Sequence, residues 1–191
     1  MGETTARTLL VFAHPALERA RVNPAMAEAV RDLPGLTFHD LYELYPDFAI
    51  DVEAEQRTLV EHDLILLQFP FYWYSSPALV KEWLDLVWLH GFAYGETGTA
   101  LRGKTLAVAT STGGRQDAYA AEGYNRYSVA EFLRPFEQTA RLCGMRWIEP
   151  FAVCGAAVLD QATLDRETAR YRAWTERAAA EAVVAAARAE G

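Results

Sequence analysis

The chain has 191 residues, 51% of them apolar and 12% aromatic, which suits one domain with a large core and is short for two. A formal net charge of −8 without any basic cluster argues against a nucleic-acid surface. Residues 1–7 lack an apolar signal-peptide core and no apolar run nears the roughly 18 residues of a membrane span, so a soluble, cytoplasmic protein is expected.

Residues 8–13 (TLLVFA) are a short apolar run, expected as a first and central strand that ends at His14-Pro15. The next loop leads to Asn23-Pro24, an N-cap followed by proline at the first helical position. That helix carries Met26, Ala29, Val30 and Leu33 at helical spacing and stops at Pro34-Gly35. Residues 36–41 (LTFHDL) alternate like an edge strand. Asp51 caps a short acidic helix over 52–61, and residues 64–68 (LILLQ) form a fully buried strand.

Five aromatic side chains then fall within the seven positions from Phe69 to Ser75. Ser76 and Pro77 open a helix over 77–89 whose polar stripe is only Lys81, Glu82 and Asp85. Its Trp83, Leu84, Leu86, Val87 and Trp88 exceed what one sheet face needs, which points to a subunit contact. A loop over 90–103 with four glycines precedes a buried strand at 104–110 (KTLAVAT) and the turn Ser111-Thr112-Gly113-Gly114. A polar, aromatic insertion leads to a helix over 129–143, then to a fifth strand at 147–153. From Ala162, the residues Leu164, Tyr171, Trp174 and Ala178 share one stripe of a long terminal helix running to residue 190.

Strands alternating with helices predict an α/β fold. A five-stranded parallel sheet of order 2-1-3-4-5 with helices on both faces, three layers in all, is expected over a single domain, residues 1–191. In such a sheet ligands bind beyond the carboxyl ends of the strands, so the loops after strands one, three and four share one crevice. The first ends at a helix start, where free N–H groups favour an anion, with Arg19, Arg21, His14 and Asn23 at hand. A plainer alternative is that Asn23 only caps the helix and the arginines are solvated. The aromatic loop offers a platform for a flat ring, and Gly113-Gly114 permits close backbone approach. Together these describe a flavin mononucleotide (FMN) site.

Other chemistry finds little support. The sequence has no G-x-G-x-x-G, no P-loop and no G-x-S-x-G. His14, His39, His62 and His90 lack metal-ligand spacing; His39 reads as structural and His62 as a helix-end cap. Asp47 and Asp51 are loop and cap residues. Cys143 and Cys154, eleven apart, read as reduced core thiols.

The segments VFAHP, LYELYPDFAIDVEAEQ, QFPFYWYSSPALVKEWLDLVW, GTALRGK, TSTGG and NRYSVAEFLRPFEQTARLCGMRW resemble the flavodoxin-like NAD(P)H:quinone oxidoreductases over roughly residues 7–175. YPDF and PALVKEWLD are similar in particular to the ancillary subunits of glutathione-regulated potassium-efflux systems. The resemblance implies FMN, a homodimer, and ping-pong transfer of two electrons from NADH or NADPH to a quinone. It places the flavin phosphate at His14 and at Ala20, Arg21, Val22 and Asn23. The ring lies against Phe71, Tyr72, Trp73 and Tyr74 and against Ser111, Thr112, Gly113 and Gly114. Tyr119 lines the substrate side, and Tyr94 of a neighbouring subunit is a further candidate there.

Two departures matter. Ala20 stands where relatives often carry serine, the loss of a charged hydrogen bond of roughly 1.5–3 kcal/mol. Asn125 stands where animal quinone reductases carry the histidine of a Tyr–His relay. The alternative role is a regulatory subunit docked on the cytoplasmic side of a potassium/proton antiporter. A one-electron flavodoxin carrier is disfavoured because the first loop is not rich in serine and threonine.

Overall fold

The computed structural model describes residues 6–189. In chain order the elements are β1 (Thr8–Phe12), α1 (Val22–Val30), β2 (Leu36–Asp40), α2 (Leu41–Leu44), α3 (Val52–Val60), β3 (Leu64–Pro70) and α4 (Ala78–Val87). There follow β4 (Thr105–Thr112), α5 (Val129–Phe132), α6 (Arg134–Leu142), β5 (Arg146–Trp147), β6 (Phe151–Cys154) and α7 (Gln161–Ala189). The expected domain ends and the last residue of the terminal helix lie outside the described residues.

All strand pairs are parallel, in the order β2-β1-β3-β4-β5, with β6 also on β4. The expected order therefore holds. β1, β3 and β4 are buried at every position because helices cover both faces, which is why their sequences run apolar without alternating. One face packs Leu9, Val11, Ile65, Leu67 and Val108 against α4 and α6, and the other packs Leu10, Leu64, Leu66 and Ala107 against α1 and α7. Each fully buried Leu, Ile or Val contributes about 1.5–3 kcal/mol.

Four expectations change in detail. The fifth strand breaks into β5 and β6, since Pro150 has no N–H for the ladder, although Ile148 still donates to the Leu106 carbonyl at 3.1 Å. The helix over 129–143 breaks at Leu133 (ψ 3°), with Pro135 in the first turn of α6. Pro77 is the N-cap of α4 rather than its first residue. The apolar surplus of α4 is mostly spent inside: Trp83 and Val87 are fully buried and Trp88 nearly so, which leaves Leu86 and Leu89 facing out.

A buried charge ties β2, α3 and α4 together. Glu55 is 1% exposed and accepts from Trp83 Nε1 (2.7 Å) and Tyr45 OH (2.5 Å), while His39 Nε2 lies 2.8 and 2.9 Å from its two oxygens. Burial pushes the Glu55 carboxyl up, but the bonds from His39, Tyr45 and Trp83 outweigh it and hold the group below its ordinary value. His39 is thus structural, as expected. His62 spans the Thr58 carbonyl (2.7 Å) and Thr37 Oγ1 (2.9 Å). No helix among the described residues is long and apolar enough to cross a membrane.

Candidate functional site

At the carboxyl end of β1 the Ala13 N–H still donates to the Gln68 carbonyl of β3 at 2.9 Å before the chain leaves the sheet at His14. His14 Nδ1 accepts from the Ala16 N–H at 3.2 Å, so in the neutral ring the proton sits on Nε2 and is free to donate. Burial lowers the His14 pKa, partly opposed by Glu18, and favours that neutral form. A 3₁₀ turn over Leu17–Arg19 uses the Ala20 N–H on the Leu17 carbonyl at 3.0 Å.

The helix begins earlier than its sequence suggests. Arg21 is the N-cap of α1, no side chain caps it, and Asn23 is its second residue. The N–H groups of Val22 and Asn23 therefore have no acceptor within the helix, and Pro24 has none to offer. The Asn23 side chain turns inward instead and donates to Ser111 Oγ at 2.7 Å. Arg21 contributes backbone only, because its guanidinium donates to the Leu159 carbonyl and to Gln161 Oε1 (3.1 Å). Arg19 is exposed at the rim, where its Nε makes a loose, solvated ion pair with Glu18 at 3.7 Å.

The aromatic loop is a tight hairpin. Tyr72 and Ser75 exchange two backbone bonds of 3.0 Å, and the two residues between them, Trp73 (φ 49°) and Tyr74 (φ 63°), are both left-handed. This is the type I′ pattern usually filled by Asn-Gly, at a cost of roughly 1–2 kcal/mol for each residue that carries a Cβ. Phe71 is tied to β4 by its N–H on the Ser111 carbonyl (2.8 Å) and meets Tyr119 edge-on at 6.0 Å. Tyr74 stacks on Phe132 at 5.0 Å and donates to Asn125 Oδ1 at 3.2 Å.

After β4, Thr112 Oγ1 donates to the Gly114 carbonyl at 2.8 Å. A Cβ on Gly113 would meet nothing within 4 Å, whereas one on Gly114 would come within 3.2 Å of the Tyr119 hydroxyl. Tyr119 is buried, and burial raises its phenol pKa, so it stays protonated. A fourth loop closes the site. Gly155 (φ 76°) donates to the Gly114 carbonyl at 2.7 Å and Ala156 to the Thr112 carbonyl at 2.9 Å. Sequence reasoning missed this loop; its signal was a glycine directly after the last strand.

These loops enclose a cavity of about 580 Å³ lined by His14, Ala20, Arg21, Val22, Asn23, Phe71, Tyr72, Ser111, Thr112 and Gly113. Ala16, Arg19, Pro70, Ala156 and Ala157 complete it. Trp73, Tyr74, Gly114 and Tyr119 stand beside the cavity rather than on its wall. No acidic side chain among the described residues lines it, in a chain of net charge −8. A cavity of about 550 Å³ between α7 and β2 is lined chiefly by Ala6, Leu33, Ala179 and Val183; its charged group, Glu176, has the wrong sign for an anion. Among the described residues no cluster of His, Cys, Asp and Glu could hold a metal.

An anion end, an open glycine and an aromatic turn at the carboxyl ends of β1, β3 and β4 agree with what comparison finds. A family described as having a flavodoxin-like fold, Flavodoxin_2, matches residues 6–175. The chain belongs to that family. It is 45% identical, over 88% of its length and 92% of the relative's, to the glutathione-regulated potassium-efflux system ancillary protein KefG of Pectobacterium atrosepticum. The crystal structure of general stress protein 14 from Treponema denticola in complex with FMN is 40% identical, with a TM-score of 0.84 over 90% of this chain and 99% of that one. An NADPH-quinone reductase from P. pentosaceus is 34% identical, with a TM-score of 0.80 over 88% and 96%. The resemblance to the flavodoxin-like NAD(P)H:quinone oxidoreductases thus holds along most of this Flavodoxin_2 chain.

Proposed function

We propose that this protein is an FMN-dependent NAD(P)H:quinone oxidoreductase. The observation that carries the proposal is the meeting of an uncapped helix start, a glycine facing open space and an aromatic turn around one cavity. When bound, FMN would supply the chemistry of two-electron transfer from NADH or NADPH to a quinone-like acceptor, the two substrates using one slot in turn.

The chain's own residues bind, orient and exclude water. The N–H groups of Val22 and Asn23, His14 Nε2–H and the Ser111 hydroxyl are donors suited to a phosphate, where charge-assisted bonds are roughly twice as strong as neutral ones. Arg19 adds charge from the rim, and the Gly113 backbone can approach a ring closely. Phe71 and Tyr72, both on the cavity wall, would face the ring. The Trp73 and Tyr74 N–H groups are not spent on the hairpin, whose bonds use those of Tyr72 and Ser75, and they can serve ring atoms that gain charge. Tyr119, protonated behind Gly114, would donate a hydrogen bond to the acceptor. The reading includes a cytoplasmic homodimer, with the exposed Leu86 of α4 and Leu89 just after it as candidate contacts. The test is the visible spectrum of purified protein, bleaching by NADPH and reoxidation by a soluble quinone. Colourless protein that takes up no added FMN would overturn it.

The identity with KefG supports a second role, an ancillary subunit of a potassium-efflux antiporter that sits peripherally on the cytoplasmic side of the membrane. Co-purification with such a transporter, and a change in its flux on addition of this protein, would distinguish this role from a free-standing reductase.

A further inference from the structure

The cavity's anion end is held from behind by a buried chain of hydrogen bonds that begins on the terminal helix. Tyr171 of α7 donates its hydroxyl to Gln68 Oε1 at 2.9 Å. Gln68 Nε2 donates to the Asn23 carbonyl at 2.8 Å, and Asn23 Nδ2 to Ser111 Oγ at 2.7 Å. Tyr171 and Gln68 are fully buried, Asn23 is 2% exposed and Ser111 7%. Four elements, α7, β3, α1 and β4, are joined in this one run, and only its last two residues, Asn23 and Ser111, reach the cavity.

Each link has a direction. The phenol can be satisfied here by donating, so it selects the carbonyl end of the Gln68 amide and turns the amide nitrogen toward α1. The Gln68 backbone is held between Phe12 and Ala109 in the sheet, which leaves the side-chain amide as the adjustable part. The bond to its carbonyl holds the Asn23 peptide in the first turn of α1, where the uncapped Val22 and Asn23 line the cavity. At the far end Ser111 Oγ already accepts from Asn23, so its own proton is left to give to a ligand.

We infer that Tyr171 is a positioning residue for the phosphate end of the flavin site, acting through Gln68. The inference rests on the FMN reading above. Without the phenol, the fully buried Gln68 Oε1 is orphaned, and the amide rotates to seek another donor at the expense of its bond to Asn23. The effect falls on the phosphate donors and leaves the ring wall untouched.

The test compares FMN with riboflavin, which has the same ring and no phosphate, by fluorescence titration of apoprotein. Tyr171→Phe keeps its ring on Phe151 (centroids 5.3 Å) and Trp174 (5.9 Å). It is expected to lower FMN affinity roughly fivefold to tenfold and to leave riboflavin affinity within about twofold. The ³¹P resonance of bound FMN should shift. Gln68→Met should give the same loss, and the double variant should add little to either. Leu164→Ala, a buried site elsewhere on α7, should lower the melting temperature without moving the FMN-to-riboflavin ratio. If Tyr171→Phe lowers the melting temperature while the ratio and the ³¹P shift stay at wild-type values, Tyr171 is merely structural and the inference fails. If wild-type protein binds neither flavin, the flavin reading itself fails.

Discussion

Glu55→Ala tests how far one buried carboxylate holds the β2 side of the molecule. The substitution leaves His39 Nε2, Tyr45 OH and Trp83 Nε1 without their shared acceptor, all in a site where Glu55 is 1% exposed. Breaking a buried pair by removing one partner costs about 3–5 kcal/mol. Summing three orphaned donors at about 1–3 kcal/mol each would count the same loss twice. At roughly 2–4 °C per kcal/mol for a chain of this size, the melting temperature should fall by about 6–20 °C. Glu55→Gln keeps an acceptor of the same shape and should lose about half as much. The assay is thermal unfolding of FMN-free protein followed by circular dichroism, repeated from pH 7 to pH 3. Because the folded-state pKa of Glu55 lies below its ordinary value, its contribution is present above about pH 4.5 and is lost as pH falls through the lowered folded value. The variants should therefore show a flatter acid limb than wild type. A Glu55→Ala protein that melts within about 2 °C of wild type with an unchanged acid limb would refute this account.

Ala20→Ser restores a hydroxyl on the cavity wall at a position whose own N–H is already used, and should tighten FMN roughly tenfold or more but not riboflavin, by fluorescence titration. Gly113→Ala places its methyl in open space, so stability should change by less than about 1 kcal/mol while FMN affinity drops at least several-fold; equal binding would show that no ligand passes there. Trp73 is 93% exposed, so Trp73→Gly loses little packing. Relief of the left-handed strain should raise stability by up to about 1 kcal/mol in a denaturant melt, while kcat/KM with a soluble quinone falls. No stability gain would mean that the turn is unstrained.

The sheet and three of the four site loops were legible because their signals are local. Apolar runs such as LILL mark strands covered on both faces, and Gly113-Gly114 and the aromatic run stand at strand ends where ligands bind. What stayed hidden depends on partners far along the chain. Glu55 reads as one more acid of a solvated helix, and only packing against α4 brings Trp83, 28 positions on, to its oxygen. Asn23 before a proline has every local mark of a cap, yet its partner is Ser111, 88 residues away. Arg21 likewise looked free until Leu159 and Gln161 claimed it. Pro150 was visible in the sequence, but the apolar pairs Trp147-Ile148 before it and Phe151-Ala152 after it masked the break that it makes.

That break limits how copies of the chain can meet. An outer strand of two residues, a proline gap and four more residues offers no long row of free N–H and C=O groups to a passing chain. Edge-to-edge growth of the sheet is thus disfavoured on that side, where ordered association is left to helix faces and loops. The same gap shortens the unpaired apolar edge that a folding chain exposes, a kind of surface prone to aggregate.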